Sequence, residues 1–165
     1  MIEVQALCKH YAVRERSSAF ALRSKIRQVI AVDNVSFMAQ DGEVTGLLGP
    51  NGAGKTTTLR MLSTLLTPDA GQAWIDGHHL VAQTHAIRRS MGVLGDAKGL
   101  YWRLSGRENI VYFARLQGMP PADAHARADQ LIAELGLGAL ADRPTQGYSQ
   151  GERMKVAIAR ALVHN

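Results

Sequence analysis

At 165 residues, with 46% apolar and 20% charged side chains, the chain has the make-up of a single globular domain long enough to bury a core, which excludes disorder and fibrous repeats as starting points. The formal charge of +5 suggests an acidic partner, but Lys9, Arg14, Arg16, Arg23, Lys25 and Arg27 against Glu15 alone place the whole excess within residues 9–30. No run reaches the roughly 18–20 apolar residues of a membrane-spanning helix, and Met1-Ile2-Glu3-Val4 lacks a basic segment followed by an apolar stretch, so neither a membrane span nor export is expected. The single cysteine, Cys8, cannot form an internal disulfide, so a cytoplasmic setting is expected.

Taken in chain order, Glu3–Leu7, Val29–Val32 and Val35–Met38 read as short antiparallel strands interrupted by a basic insertion at 12–29. Cys8 closes the first apolar stretch and reads as a buried bystander, with a reactive thiol as the alternative. The insertion reads as a solvated hairpin or loop, or else as a contact for lipid headgroups or an acidic partner. The aromatic residues of the basic segment 9–30, Tyr11 and Phe20, are too sparse for nucleic-acid recognition. Asp41-Gly42 signals a turn before Glu43–Leu48, an apolar run with the length of a buried strand. A helix is predicted from Lys55 to about Leu66, with Leu59, Leu62, Leu65 and Leu66 on one face, followed by a strand and turn over Gln72–Gly77. A short helix at 84–90 and a short buried strand at Met91–Leu94 come next. The character then turns helical: Arg107–Leu116, Ala122–Leu135 behind Pro120-Pro121, and about Gln150–Val163 with Met154, Ile158, Ala161 and Leu162 on one face. The six histidines show no metal-ligand spacing, and the pair His78-His79 reads as solvated.

Between the predicted strand 43–48 and the helix at Lys55 lies Gly49-Pro50-Asn51-Gly52-Ala53-Gly54-Lys55-Thr56, a full G-x-x-x-x-G-K-[ST] pattern. Glycines let backbone N–H groups turn inward around phosphates, and the helix start adds positive potential. Lys55 then reaches the outer phosphates while the Thr56 hydroxyl can ligate Mg²⁺. Nucleoside triphosphate binding follows. The loop alone leaves a GTPase switch, a small-molecule kinase and an ATP-driven machine open, although no Asn-Lys-x-Asp guanine reader occurs.

About a hundred residues on, Tyr148-Ser149-Gln150-Gly151-Glu152 opens the last helix with Ser149 as N-cap and Glu152 three residues later, a capping box. It serves as a structural cap, or also as an anion site for a phosphate from another molecule. Here the sequence resembles the ATP-binding subunit of ABC transporters, through Leu47–Leu59 and Tyr148–Glu152 in that order and spacing. Gly99–Tyr101, Arg103–Ser105, Arg107–Asn109 and Lys155–Leu162 look most like the sodium-efflux type. The resemblance covers the chain outside the insertion.

The resemblance implies an α/β fold of the P-loop nucleoside triphosphate hydrolase type, a mixed sheet with an antiparallel strand-rich N-terminal part and an appended helical subdomain. It divides one domain, 1–165, into a nucleotide-binding core at 1–95, a helical subdomain at 96–147 and a signature motif with its helix at 148–165. Gly49–Thr57 would bind the ATP phosphates, Thr56 would hold Mg²⁺, and Tyr11 would stack on adenine, an ordinary strand-end tyrosine being the alternative. Tyr148–Glu152 would face the ATP of a partner copy. Tyr148, Gln150 and Glu152 depart from the family's Leu-Ser-Gly-Gly-Gln, leaving Ser149 and Gly151 as matches. Asp96 stands where the family's glutamine loop falls, as a second Mg²⁺ group or a solvated loop residue. The family's magnesium aspartate, catalytic glutamate and histidine switch are expected beyond Asn165, as are the remaining core strands, so the chain reads as a truncated form. The resemblance implies a homodimer on the cytoplasmic face of a membrane, hydrolysing ATP to drive transport through a separate membrane-spanning subunit. The alternative is a regulatory module that binds ATP without turnover.

Overall fold

A computed structural model describes residues 1–15, 25–95 and 99–164. They form two compact units, Met1–Arg88 and Arg89–Asn165, each with its own internal packing.

The first unit is built on a four-stranded antiparallel sheet in the order β2-β1-β3-β4, with β1 at Ile2–Glu15, β2 at Lys25–Ala39, β3 at Ala70–Ile75 and β4 at His78–His79. The predicted early strands are present and longer than expected. β2 absorbs both of its predicted segments, and the arms pair through the basic insertion as far as Glu15↔Lys25. Irregularities between Val4 and His10 rotate the strand so that Val4 and Leu7 both reach the core. β3 turns into β4 through Asp76 and Gly77, with φ +50° and +76°, the two left-handed residues that a tight hairpin of this twist requires. Helix α1 (Lys55–Leu62) follows the glycine-rich loop, and α2 (Thr84–Ser90) comes after β4.

Three expectations in this unit are corrected. Glu43–Leu48 is not a buried strand: it is irregular, with Val44 and Leu48 fully exposed, because no strand among the described residues lies beside it to share backbone hydrogen bonds. α1 ends at Leu62 rather than Leu66. Thr64 turns left-handed at φ +59°, the Leu65 and Leu66 amides fold back on the Arg60 carbonyl, and the Arg88 guanidinium donates to the Thr64 hydroxyl at 2.7 Å and its carbonyl at 3.0 Å. The buried face of α1 is Thr58, Met61 and Leu62, and Leu59 and Leu65 face outward.

In the second unit, Met91–Leu94 again has no strand partner among the described residues and leaves Val93 and Leu94 exposed, which corrects the predicted buried strand. α3 (Gly106–Leu116), α4 (Pro121–Glu134) and α5 (Gln150–Ala161) pack around Ile110, Ala114, Ala128, Leu131, Val156 and Val163. α5 is apolar on two sides, and the side turned inward carries Val156 and Ala159, with Val163 buried just beyond the helix end. Met154 and Leu162 of the predicted inner face stay exposed. Helical period identifies a stripe but cannot rank two stripes on one helix. Asn109, fully buried on α3, accepts from the Tyr101 amide at 2.8 Å and donates to the Ser105, Tyr101 and Leu104 carbonyls, fastening the preceding loop to the bundle. Arg107 ties α3 to α4 and the following loop through Asp129 and Asp142.

Candidate functional site

Gly54 is the N-cap of α1 and sits at φ +82°. A Cβ here would stand 2.2 Å from the Ala31 carbonyl oxygen, so β2 presses against the loop and only glycine fits. Lacking a side chain, Gly54 offers no capping acceptor, and the first-turn N–H groups of α1 remain open as the positive end of the helix. The Lys55 ammonium folds over the loop and donates to the Gly49 and Pro50 carbonyls at 2.6 and 2.7 Å. Thr58 bonds back to the Gly54 carbonyl, whereas the Thr56 hydroxyl is exposed and makes no hydrogen bond within the described residues.

These groups line a cleft of about 240 Å³ formed by Ala31, Asn51, Gly52, Gly54, Lys55, Thr56 and Thr57. Open amides, an ammonium and a free hydroxyl around one cavity are a donor set for a polyanion with a divalent cation: amides and Lys55 suit phosphate oxygens, and Thr56 suits Mg²⁺. Asn51, Gly52 and Ala53 form the turn of this cradle, closed by the Ala53 amide on the Pro50 carbonyl at 3.2 Å. Tyr11 lies on β1 opposite Val29, two residues along β2 from Ala31 of the cleft, with 37% of its surface exposed. Asp96 lies outside the described residues.

The start of α5 is built differently. The Ser149 hydroxyl accepts from the Glu152 amide at 3.3 Å and the Glu152 carboxylate accepts from the Ser149 amide at 2.6 Å, a reciprocal capping box. One lone pair of Ser149 is thereby occupied while its O–H proton remains free to donate. Gly151 is exposed, and a Cβ on it would meet nothing within 4 Å, so packing among the described residues does not demand glycine there. Gln150 is exposed beside it, whereas Tyr148 is buried. Its hydroxyl donates to the carbonyls of Leu140 and Arg143, which makes it the support beneath the helix start.

Backbone and side-chain hydrogen bonds from Ser149 hold the Glu152 carboxyl below its ordinary range, and Ser105 does the same for Glu108 at the start of α3. A carboxylate depressed on folding contributes stability that is present above its ordinary pKa and is lost as pH falls through the depressed value. Far-ultraviolet circular dichroism should therefore show helix loss beginning as pH drops below about 4. Glu152→Gln and Glu108→Gln should flatten that acid limb; an unchanged limb in the double variant would remove the capping boxes from the explanation.

Residues 32–165 match the family described as ABC transporter. The chain belongs to the ABC transporter family. This ABC transporter chain is similar to the ABC transporter ATP-binding protein NatA of Bacillus subtilis, 44% identical over 144 residues that make up 87% of this chain and 58% of that protein. It is similar to the doxorubicin resistance ATP-binding protein DrrA of Mycobacterium tuberculosis, 44% identical over 136 residues, 82% of this chain and 41% of that one. Among solved structures, the post-hydrolysis dimer of the ATP-binding cassette MJ0796 bound to ADP and Pi superposes with a TM-score of 0.80 at 25% identity, over 99% of this chain and 70% of that chain. The expected P-loop α/β fold is thus found, and the chain spans about half the length of the curated relatives it matches. No helix among the described residues is long and apolar enough to cross a membrane.

Two parts of this ABC transporter chain escaped the sequence reading. The Ala31 carbonyl that dictates Gly54 leaves no side-chain signature, so nothing in the letters could have revealed it. Asn109 was legible in principle, as an amide beside Ile110 on the inward face of α3 and therefore a buried polar group in need of partners. Among the described residues no cluster of histidine, cysteine or carboxylate side chains could hold a metal.

Proposed function

We propose that this chain is the ATP-binding part of a transport ATPase that exports sodium or another small solute through a separate membrane-spanning subunit. The observation that carries the reading is the contrast between two helix starts: α1 opens on a glycine cradle with an ammonium folded over it, and α5 opens on a serine that keeps a free proton. The first suits the phosphates of a nucleotide held by the same chain. The second suits a phosphate presented by another copy.

In this reading the amides of Gly52, Gly54, Lys55 and Thr56 bind and orient the phosphates. Lys55 exchanges the Gly49 and Pro50 carbonyls for phosphate oxygens. Thr56 and Thr57 finish the first turn, Thr56 holding the cation, and Tyr11 stacks on the base at the end of the cleft. Mg²⁺, when bound with ATP, neutralises charge on the phosphates. Ser149 and Gly151 of a second copy donate to the outermost phosphate, so that a head-to-tail pair closes when nucleotide is present and opens after its cleavage. The dimeric state of the MJ0796 cassette supports this arrangement.

An exposed aromatic surface on the second unit supports a place for the membrane subunit. Tyr101 and Tyr112 meet edge to face at 5.1 Å, Trp102 lies under the Arg103 guanidinium at 4.6 Å, and Leu116 is exposed on the same helix as Tyr112. One relative is named for resistance to doxorubicin; in this reading the exported solute is selected in the membrane subunit rather than in this domain.

The test is phosphate release from ATP by the complete protein with no acceptor added, followed by solute flux with its membrane partner. Release without an acceptor supports the ATPase; transfer only to an added acceptor would mean a kinase, and retained binding with no release would mean a regulatory module. Ser149→Ala should lower the stability of the second unit by about 1 kcal/mol through the lost cap. It should leave nucleotide affinity of the single chain near wild type and impair nucleotide-dependent dimerisation, measured by size-exclusion chromatography with light scattering. Loss of binding by the monomeric variant would count against the two-copy site.

A further inference from the structure

The β1–β2 arm extends beyond the sheet that supports it. β3 pairs with β1 only as far as Cys8↔Ala70, whereas β1 and β2 continue together from His10↔Ile30 to Glu15↔Lys25 in regular register. Its root is clamped, because Asp69 accepts from the Lys9 ammonium at 2.7 Å and from the His10 amide at 2.7 Å. Past that clamp the arm is a two-stranded ribbon, and among the described residues 11–14 and 26–30 are exposed on both faces.

A regular antiparallel ribbon sorts its side chains by alternate positions and direct partners. One face therefore carries Ile26 and Ile30 from β2, with Gln28 between them, and Arg14, Ala12 and His10 from β1. Ile26 and Ile30 are 63% and 59% exposed, which is unusual for β-branched residues that bury well on a sheet. Arg14 stands directly opposite Ile26 and is exposed as well. The surrounding segment holds the entire positive excess of the chain, with Glu15 as its only acidic residue.

We propose that this face of the ribbon docks on the surface of an anionic lipid bilayer, with Ile26 and Ile30 entering the boundary between headgroups and acyl chains and Arg14 pairing with headgroup phosphate. Charge and apolarity together select the occupant. A nucleic-acid backbone would satisfy Arg14 but offers no hydrocarbon to receive two isoleucines. A second copy of the same ribbon would set like charge against like charge. An anionic bilayer supplies negative charge at the depth of Arg14 and hydrocarbon just below it. The inference stands on the ribbon alone and does not require the nucleotide site.

The test is partitioning of the complete protein onto vesicles of phosphatidylcholine with and without 30 mol % phosphatidylglycerol (about a third anionic, enough for a strong surface potential), read by sedimentation. Binding is expected to the anionic vesicles and to weaken with salt. Ile26→Thr with Ile30→Thr keeps β-branched residues in the strand and should reduce partitioning about tenfold. Arg14→Gln should reduce it about fivefold and Arg14→Lys should restore it. An unchanged circular dichroism spectrum checks that each variant keeps its fold. Equal binding to neutral vesicles, no vesicle binding, or partitioning indifferent to all three substitutions would overturn the proposal. So would capture by nucleic acid or an acidic protein in the absence of vesicle binding.

Discussion

Replacing Lys55 by alanine is expected to lower ATP affinity of the complete protein by at least about a hundredfold and to abolish turnover. The ammonium is already held over the loop by the Gly49 and Pro50 carbonyls at 2.6 and 2.7 Å, so little side-chain freedom remains to be lost when phosphate arrives. Hydrogen bonds between charged groups contribute about 1.5–3 kcal/mol each, and an ammonium between two phosphate oxygens makes two of them. Removing it also leaves the loop without the positive charge that sits in the cleft, since the open amides of α1 supply only partial charges. Lys55→Arg should rescue poorly, because a planar guanidinium cannot reproduce the compact contacts with two adjacent carbonyls. The measurement is equilibrium binding of a fluorescent ATP analogue with and without Mg²⁺. Wild-type affinity in Lys55→Ala would refute the phosphate-loop assignment.

Gly54→Ala should be more damaging to the fold, and the comparison with Gly52→Ala separates two causes. Both glycines are left-handed, at φ +82° and +88°, so each substitution incurs backbone strain of about 1–2 kcal/mol. A Cβ at Gly52 meets nothing within 4 Å, whereas at Gly54 it falls 2.2 Å from the Ala31 carbonyl and 3.1 Å from a Val32 methyl. Backbone must therefore move at Gly54, either by peeling the loop from β2 or by breaking the α1 start. Gly54→Ala should lower the melting temperature well beyond the Gly52 variant and remove nucleotide binding. Gly52→Ala should retain the fold with weakened binding. Similar melting temperatures for the two would show that contact with β2 does not govern the loop.

Much of this was legible because it rests on local rules. The G-x-x-x-x-G-K-[ST] run, the Ser149 and Glu152 capping box, the Asp76-Gly77 turn and the helices after residue 100 are decided by backbone chemistry within a few residues. They appear where the letters place them. The errors arose where a neighbour distant in sequence decides. Glu43–Leu48 and Met91–Leu94 have the composition of buried strands, yet extended chain becomes sheet only when another strand shares its hydrogen bonds. α1 stops early at a left-handed turn at Thr64, whose hydroxyl and carbonyl accept from Arg88 of a helix more than twenty residues away.

Within the site the same division holds. Sequence alone determined that this protein carries a G-x-x-x-x-G-K-[ST] loop and a capped serine helix start in the order of an ABC transporter, because both depend on glycine freedom and helix-end chemistry over short spans. Only the tertiary structure decided that Gly54 is dictated by the Ala31 carbonyl and that Tyr148 is a buried prop. It also decided that α5 buries Val156 and Ala159 rather than Met154, and that the described ends of the basic insertion pair as a clamped ribbon with isoleucines in solvent. Each of these depends on which surfaces meet, and a pattern of apolar and polar letters records that a residue is able to be buried without recording what will cover it.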